Sequence, residues 1–187
     1  DQVVGVAVFL VVGELAELGD EVAGHEDRAA GVGEAAQPVP QPADAVGIET
    51  LAPADALRLL LEGQVAAAKS VQQALPSIAA LAETAAQTIR NGGRLFYAAA
   101  GSSGLMALAD ALEMPGTFGI PQSRIVILFA GGVAALEDMV GGVEDDREQA
   151  KADVFSKSIS AKDLLIAVSA SGTTPYALAA MEAAKAH

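Results

Sequence analysis

The chain has 187 residues, 52% hydrophobic but only 4% aromatic, enough for one domain with a core of Ala, Val, Leu and Ile. It contains no cysteine. That excludes disulfide scaffolds, thiolate metal sites and cysteine nucleophiles, and it is compatible with a reducing cytoplasm. The net charge of −13 comes without a basic stripe, which argues against nucleic acid or an anionic membrane as partner.

The acidity is concentrated at the start. Residues 1–47 hold nine acids and one base, Arg28, which leaves the other 140 residues at −5. An anionic ligand must therefore be held by backbone N–H groups and hydroxyls arranged locally. The apolar run Val3–Val12 is too short to span a bilayer and lacks the basic leader of a signal peptide. QPVPQPAD (37–44) reads as an extended linker. Residues 1–47 carry no chemical motif and are read as an atypical N-terminal segment with a linker. Residues 48–187 form the domain.

From Ile48 the pattern is helical. Thr50 or Asp55 stands where a cap is needed before Leu57, Leu60, Leu61, Val65 and Ala68, which recur at helical spacing. Pro76 suits the first turn of a second helix that stops at Asn91-Gly92-Gly93. Both helices are expected to pack their apolar faces.

Strand and helix then alternate. RLFYAAA (94–100), RIVILFAGG (124–132) and DLLIAVSAS (163–171) are apolar runs, and each leads through a Gly-rich turn toward a helix. Strands apolar throughout imply a parallel sheet covered on both faces: an α/β, three-layer αβα, flavodoxin- or Rossmann-like domain behind a helical segment. Ligands of such sheets bind at the carboxyl ends of the strands.

Two of those ends carry hydroxyls. AAAGSSG places Ser102, Ser103 and Gly104 at a helix start, where backbone N–H groups and serines can hold an anion, unless one serine only caps the helix. A dinucleotide fingerprint does not fit. Its first glycine maps to Ala99, and FAGG follows the second strand where a ribose-binding acid belongs. SASGTT repeats the device with Ser169, Ser171, Gly172, Thr173 and Thr174. Two such turns in one sheet point to a divided site for a phosphorylated polar ligand. The only histidines, His25 and His187, lie outside these turns, so neither a metal nor a cofactor is expected.

Two glutamates stand out. Glu113 precedes Met114-Pro115-Gly116 at the expected end of the first cradle's helix, where a carboxylate opposes the dipole. Glu144 opens Glu144-Asp145-Asp146, and acids there suit a helix start.

GGRLFYAAAGSSG, DALEMPGTFGIP, AGGVAALEDMVGGVEDD and SASGTTPYALAAMEAAKA, in this order, resemble the N-acetylmuramic acid 6-phosphate etherases of the sugar-isomerase (SIS) phosphosugar-binding superfamily. The four blocks lie between Ile48 and the end, roughly three quarters of the chain. The resemblance implies that Glu113 and Glu144 are catalytic carboxylates and that the two hydroxyl loops bind a phosphorylated amino sugar. It implies a cytoplasmic enzyme, paired as a homodimer, that eliminates D-lactate and adds water without a cofactor. Leu105 and Thr173 stand where the family usually has arginines. Family members continue beyond the third strand–helix unit, so a truncated member with an incomplete sheet is expected. Relatives of the same superfamily supply two alternatives, a non-catalytic phosphosugar-binding regulator and a phosphosugar aldose–ketose isomerase.

Overall fold

A computed structural model describes residues 47–138 and 141–186. The apolar run, the proline-rich linker and both histidines lie outside the described residues. The elements are α1 (Pro53–Ser70), α2 (Leu75–Arg90), β1 (Leu95–Ala99), α3 (Gly101–Phe118), β2 (Ile125–Phe129), a short α4 (Ala134–Asp138), α5 (Arg147–Ser156), β3 (Leu164–Val168) and α6 (Pro175–Lys185).

The three strands pair in parallel in the order β2-β1-β3, so β1 is central. Alternation along each strand divides the side chains between two faces. Phe96, Ala98, Leu128, Leu165 and Ala167 face α5 and α6, with Ala150, Val154, Tyr176 and Met181. Leu95, Tyr97, Ala99, Ile125 and Leu164 face α2 and α3, with Leu81, Ile89, Ala107 and Ala111. This is the three-layer αβα arrangement expected from the apolar runs, with the sheet open at β2 and β3. Alanine makes the close packing workable: Ala177, Ala179, Ala180, Ala183 and Ala184 are all buried on α6. Among the described residues no helix is long and apolar enough to cross a membrane.

The entrance to the sheet is clamped. The Arg94 guanidinium donates to Asp163 through Nε at 3.2 Å and through a second nitrogen at 2.8 Å, and the Arg94 backbone N–H donates at 2.8 Å. Ser160 adds its N–H and hydroxyl to the same carboxylate. The remaining guanidinium donors reach the carbonyls of Lys157 and Ser158 just after α5. One carboxylate, 2% exposed, thus ties the starts of β1 and β3 to the end of α5. Burial pushes its pKa up, but the hydrogen bonds from Arg94 and Ser160 outweigh this and hold it below the ordinary value of 3.8.

The first helix departs from expectation. Thr50 donates to the Gly47 carbonyl at 2.6 Å in a 3₁₀ turn, and Asp55 pairs with Arg58. Neither caps α1, which begins at Pro53 behind Ala52 without a side-chain cap. Leu57 is 66% exposed and Leu61 63%, and Leu60 and Val65 are exposed as well. The apolar spacing therefore identified a helix correctly, but this face is not packed within the described chain.

Replacing Asp163 with Asn should lower unfolding stability at pH 7 by about 2–3 kcal/mol, the scale of lost charge-assisted hydrogen bonds. Because the folded carboxyl titrates below its ordinary value, its contribution is full above pH 3.8 and disappears as pH falls through the folded value. Urea unfolding of both proteins should therefore differ at pH 7 and converge in strong acid. A constant gap at every pH would show that the clamp acts by packing alone.

Candidate functional site

The carboxyl edge of the sheet gathers the residues singled out from sequence. Ala99 stands opposite Phe129 on one side and Val168 on the other. The loops after β1 and β3 therefore leave the sheet one strand spacing apart, about 4.8 Å.

Helix α3 starts directly at the end of β1. Ala100 is its extended N-cap residue with no side-chain cap, so Ser102 and Ser103 lie inside the first turn and neither caps it. Gly104 N–H donates to the Ala100 carbonyl at 3.0 Å, the first bond of the helical ladder. The N–H groups of Gly101, Ser102 and Ser103 precede that bond, as helix geometry requires, and form the end that attracts anions. Ser102 is exposed and Ser103 half-buried.

Gly104 plays a different part from the one its sequence position suggested. It is buried, and a Cβ placed on it would lie 2.4 Å from Cε2 of Phe129. Its N–H is already used. The missing side chain lets α3 settle onto the Phe129 ring, which holds the helix start beside the loop after β2. Gly101 was not singled out as a site residue, yet it is central. Its φ of +55° favours glycine, and a Cβ there would face Glu144 Oε2 at 3.8 Å.

Glu144 reaches that position through a chain of turns. Gly132 N–H closes a turn onto the Phe129 carbonyl, and a 3₁₀ turn spans Val143–Asp145. Val143 packs against the α5–α6 core and anchors the turn. The helix start lies two residues later than the acidic run implied. Asp146 is the N-cap of α5, and its carboxylate accepts from Gln149 N–H at 2.8 Å. Glu144 is therefore not needed as the cap. It lines a cavity of about 110 Å³ with Gly101, Phe129, Ala130, Ala135, Gly141 and Val143. A larger groove of about 630 Å³ lies along the outer edge of β2 against α5, lined by Ile127, Val133, Asp146, Asp153 and Lys157 among others. None of the residues singled out from sequence lines it.

The second loop is built from its own hydroxyls. Ser169, fully buried, accepts from Gly172 N–H at 3.0 Å and shares a hydrogen bond with Thr174 Oγ1 at 2.8 Å. Ser171 accepts from Thr173 N–H and shares a bond with Thr173 Oγ1 at 2.9 Å. Ser169 therefore shapes the loop from within, while Ser171 and Thr173 present exposed hydroxyls at its rim.

Glu113 is the one sequence-selected residue that this edge does not collect. Helix α3 continues through Pro115 to Phe118, so Glu113 lies inside the helix and not at its end. The dipole argument for its oddness loses its force. Twelve residues separate it from Gly101, about 18 Å along the axis at 1.5 Å per residue. It is exposed. Tyr97 and Tyr176, by contrast, are buried and donate to Asp110 at 2.7 Å and Asp153 at 2.5 Å. Burial and those carboxylates raise both phenols above their ordinary values, so they are structural donors. Among the described residues no group of three or more His, Asp or Glu is placed to hold a metal ion.

An open parallel sheet with hydroxyl loops at the carboxyl ends of adjacent strands defines an α/β ligand-binding domain. The family model of the glucokinase regulatory protein N-terminal SIS domain matches residues 77–185, and the chain belongs to this SIS-domain family. It is 41% identical to the N-acetylmuramic acid 6-phosphate etherase of Deinococcus radiodurans, over 76% of this chain and 47% of that protein. It is 39% identical to the Erwinia tasmaniensis protein of the same name, over 76% and 46%. For the Bacteroides fragilis etherase the identity is 42% over 63% and 42%. The chain spans about half the length of the curated relatives it matches.

The packing at Gly104 gives a direct check on how the helix start is held. Gly104→Ala should destabilise by about 1–3 kcal/mol through overpacking, despite alanine's better helix propensity. Adding Phe129→Leu should recover part of that loss in a double-mutant cycle read by thermal unfolding. Simple additivity of the two changes would show that the ring is not what Gly104 accommodates.

Proposed function

We propose that the chain carries the binding and acid–base groups of a phosphosugar lyase that removes the lactyl ether of N-acetylmuramic acid 6-phosphate. One observation carries the reading. Glu144 faces Gly101 across a small cavity at the start of α3, beside a hydroxyl loop that is already ordered. The etherase names of the relatives support the substrate class. In this reading the domain begins near Ile48, residues 1–47 take no part, and the protein is cytoplasmic.

The phosphate sits on the N–H groups and hydroxyls of Gly101–Ser103 and on the rim of Ser171 and Thr173, with Ser169, Gly172 and Thr174 shaping that rim. Gly104 contributes by letting α3 approach. The open-chain aldehyde acidifies the proton at C2, and the Glu144 carboxylate takes it. The electron pair from that C–H bond forms the C2–C3 double bond, and the C3–O bond breaks. The lactyl oxygen leaves with a proton from Glu113. Water then adds at C3, giving a proton to Glu113, while C2 recovers one from Glu144. The products are D-lactate and N-acetylglucosamine 6-phosphate. The chemistry needs no electron acceptor and no metal in this scheme.

A second reading has its own support. The matching family model is described for a regulatory protein, and neither hydroxyl loop contains a lysine or arginine. In a regulator the same loops bind a sugar phosphate and nothing is released. A phosphosugar isomerase would instead give a ketose.

Incubation of the whole chain with N-acetylmuramic acid 6-phosphate should release lactate, measured enzymatically. Glu144→Gln should lower kcat by ~10²–10⁴-fold, the usual worth of a positioned general base. Its thermal stabilisation by the substrate should survive, because the phosphate contacts remain. Stabilisation by the sugar with no lactate from the unsubstituted chain would favour the regulator, and a ketose product the isomerase.

A further inference from the structure

The larger groove beside β2 takes no part in the proposed chemistry, and its floor is a strand edge. Ala130 N–H donates to the Ala99 carbonyl at 3.0 Å, so Ala130 turns its backbone groups toward β1, and Leu128 and Val126 do the same by alternation. Ile125, Ile127 and Phe129 turn theirs outward. Ile125 N–H is taken by the Gln122 carbonyl, and the Phe129 carbonyl by Gly132 N–H. The carbonyl of Ile125, both groups of Ile127 and the N–H of Phe129 are left facing the groove. The strand reads Ile-Val-Ile-Leu-Phe, with no proline or charge to blunt this edge.

We infer that the groove holds a short extended peptide of about five residues, added to β2 as an antiparallel strand with both its ends free. Its volume of about 630 Å³ is that of a ligand pocket. Leu108 of α3 lines it on one face of the sheet, Gln149 and Asp153 of α5 on the other. Cross-strand neighbours share a face, and Ile127 belongs to the face packed by α2 and α3. A peptide residue opposite Ile127 therefore points its side chain toward Leu108, and the residues on either side of it point toward Gln149 and Asp153. The fitting sequence alternates apolar and hydroxyl side chains. A second copy fits less well, because its own β2 edge lies at the floor of the same groove and the walls would meet first.

Charge fixes the direction. Helix α5 runs against the strands, with Asp146 at its start near the carboxyl end of β2 and Lys157 just past its end near the amino end. Both line the groove. Asp146 uses one carboxylate oxygen on Gln149 N–H, which leaves the other for a terminal ammonium. Lys157 makes no ion pair among the described residues, so its ammonium is open to a terminal carboxylate. These are full charges, and they outweigh the half-charges of opposite sense at the two ends of α5. Eleven residues of α5 separate them by about 16 Å. Five extended residues cover about 17 Å.

The test uses the whole chain and the peptide Val-Thr-Val-Thr-Val with free ends. Titration to about 5 mM, which reads millimolar affinity, should move the amide signals of Ile127 and Phe129 and slow their hydrogen exchange. Methylating the backbone nitrogen of the central valine removes the donor aimed at the Ile127 carbonyl and should abolish both effects. The same change on either threonine, whose N–H points away from β2, should leave them. Amidating the carboxyl end should weaken binding ~2–5-fold in the unsubstituted chain and leave it unchanged in Lys157→Ala. Lys157 is exposed and keeps its carbonyl for Arg94, so this variant retains the fold. No response at Ile127 or Phe129, or equal binding of the centrally methylated peptide, overturns the added strand. An equal loss from amidation in both chains overturns its direction.

Discussion

Parallel pairing of β1 with both neighbours ties the carboxyl ends of the strands together, and the site depends on that. Ala99 is level with Phe129 and Val168, so whatever follows each strand begins at the same edge. At the opposite edge the Arg94–Asp163 clamp fixes where β1 and β3 start. With both ends set, small residues decide the remaining distances. Gly104 lets α3 lie on Phe129, and the alanines of α6 bring that helix onto the other face. The first hydroxyl loop is thus positioned by packing, and the second by hydrogen bonds among its own side chains.

The electrostatics of this edge follow from what it lacks. The chain carries −13, and neither loop contains a lysine or arginine. Within these two loops an anion would meet the partial positive charge of a helix start and oriented N–H and O–H groups. Such contacts act at short range and in fixed directions. They reward a ligand with oxygens in the right places and do little for negative charge in general. For the proposed ligand, selectivity then rests on geometry, and hence on the order of the Ser169–Thr174 loop.

Much of this was legible in the sequence because it is local. The apolar runs gave the parallel sheet, the Gly-rich turns marked the edge, and the hydroxyl clusters marked the loops. What stayed hidden is tertiary. Gly104 reads as part of a cradle until the Phe129 ring is seen over it, and nothing in GSSG announces a partner 25 residues away. Ser169 reads as a ligand group until it is found buried. The apolar face of α1 reads as core because spacing reveals a helix's periodicity but not its neighbour. Glu113 looked terminal because Pro115 usually ends a helix, whereas here α3 continues through it to Phe118. Only the length of that helix shows how far along α3 Glu113 lies from Gly101.

The position of Glu144 bears on which of the two functional readings fits better. A module that only binds a sugar phosphate is served by the hydroxyls and N–H groups, and a carboxylate beside them works against it. Like charges repel, and more strongly where water is excluded. Keeping Glu144 against Gly101 therefore works against an anion held at the start of α3. Its role as a helix cap does not explain it, because Asp146 fills that position. A binder would improve by losing the carboxylate, whereas an enzyme that must take a proton from the bound sugar requires one there. The proposed acid–base role gives a use to a carboxylate held beside the N–H groups at the start of α3, where neither capping nor anion binding calls for one.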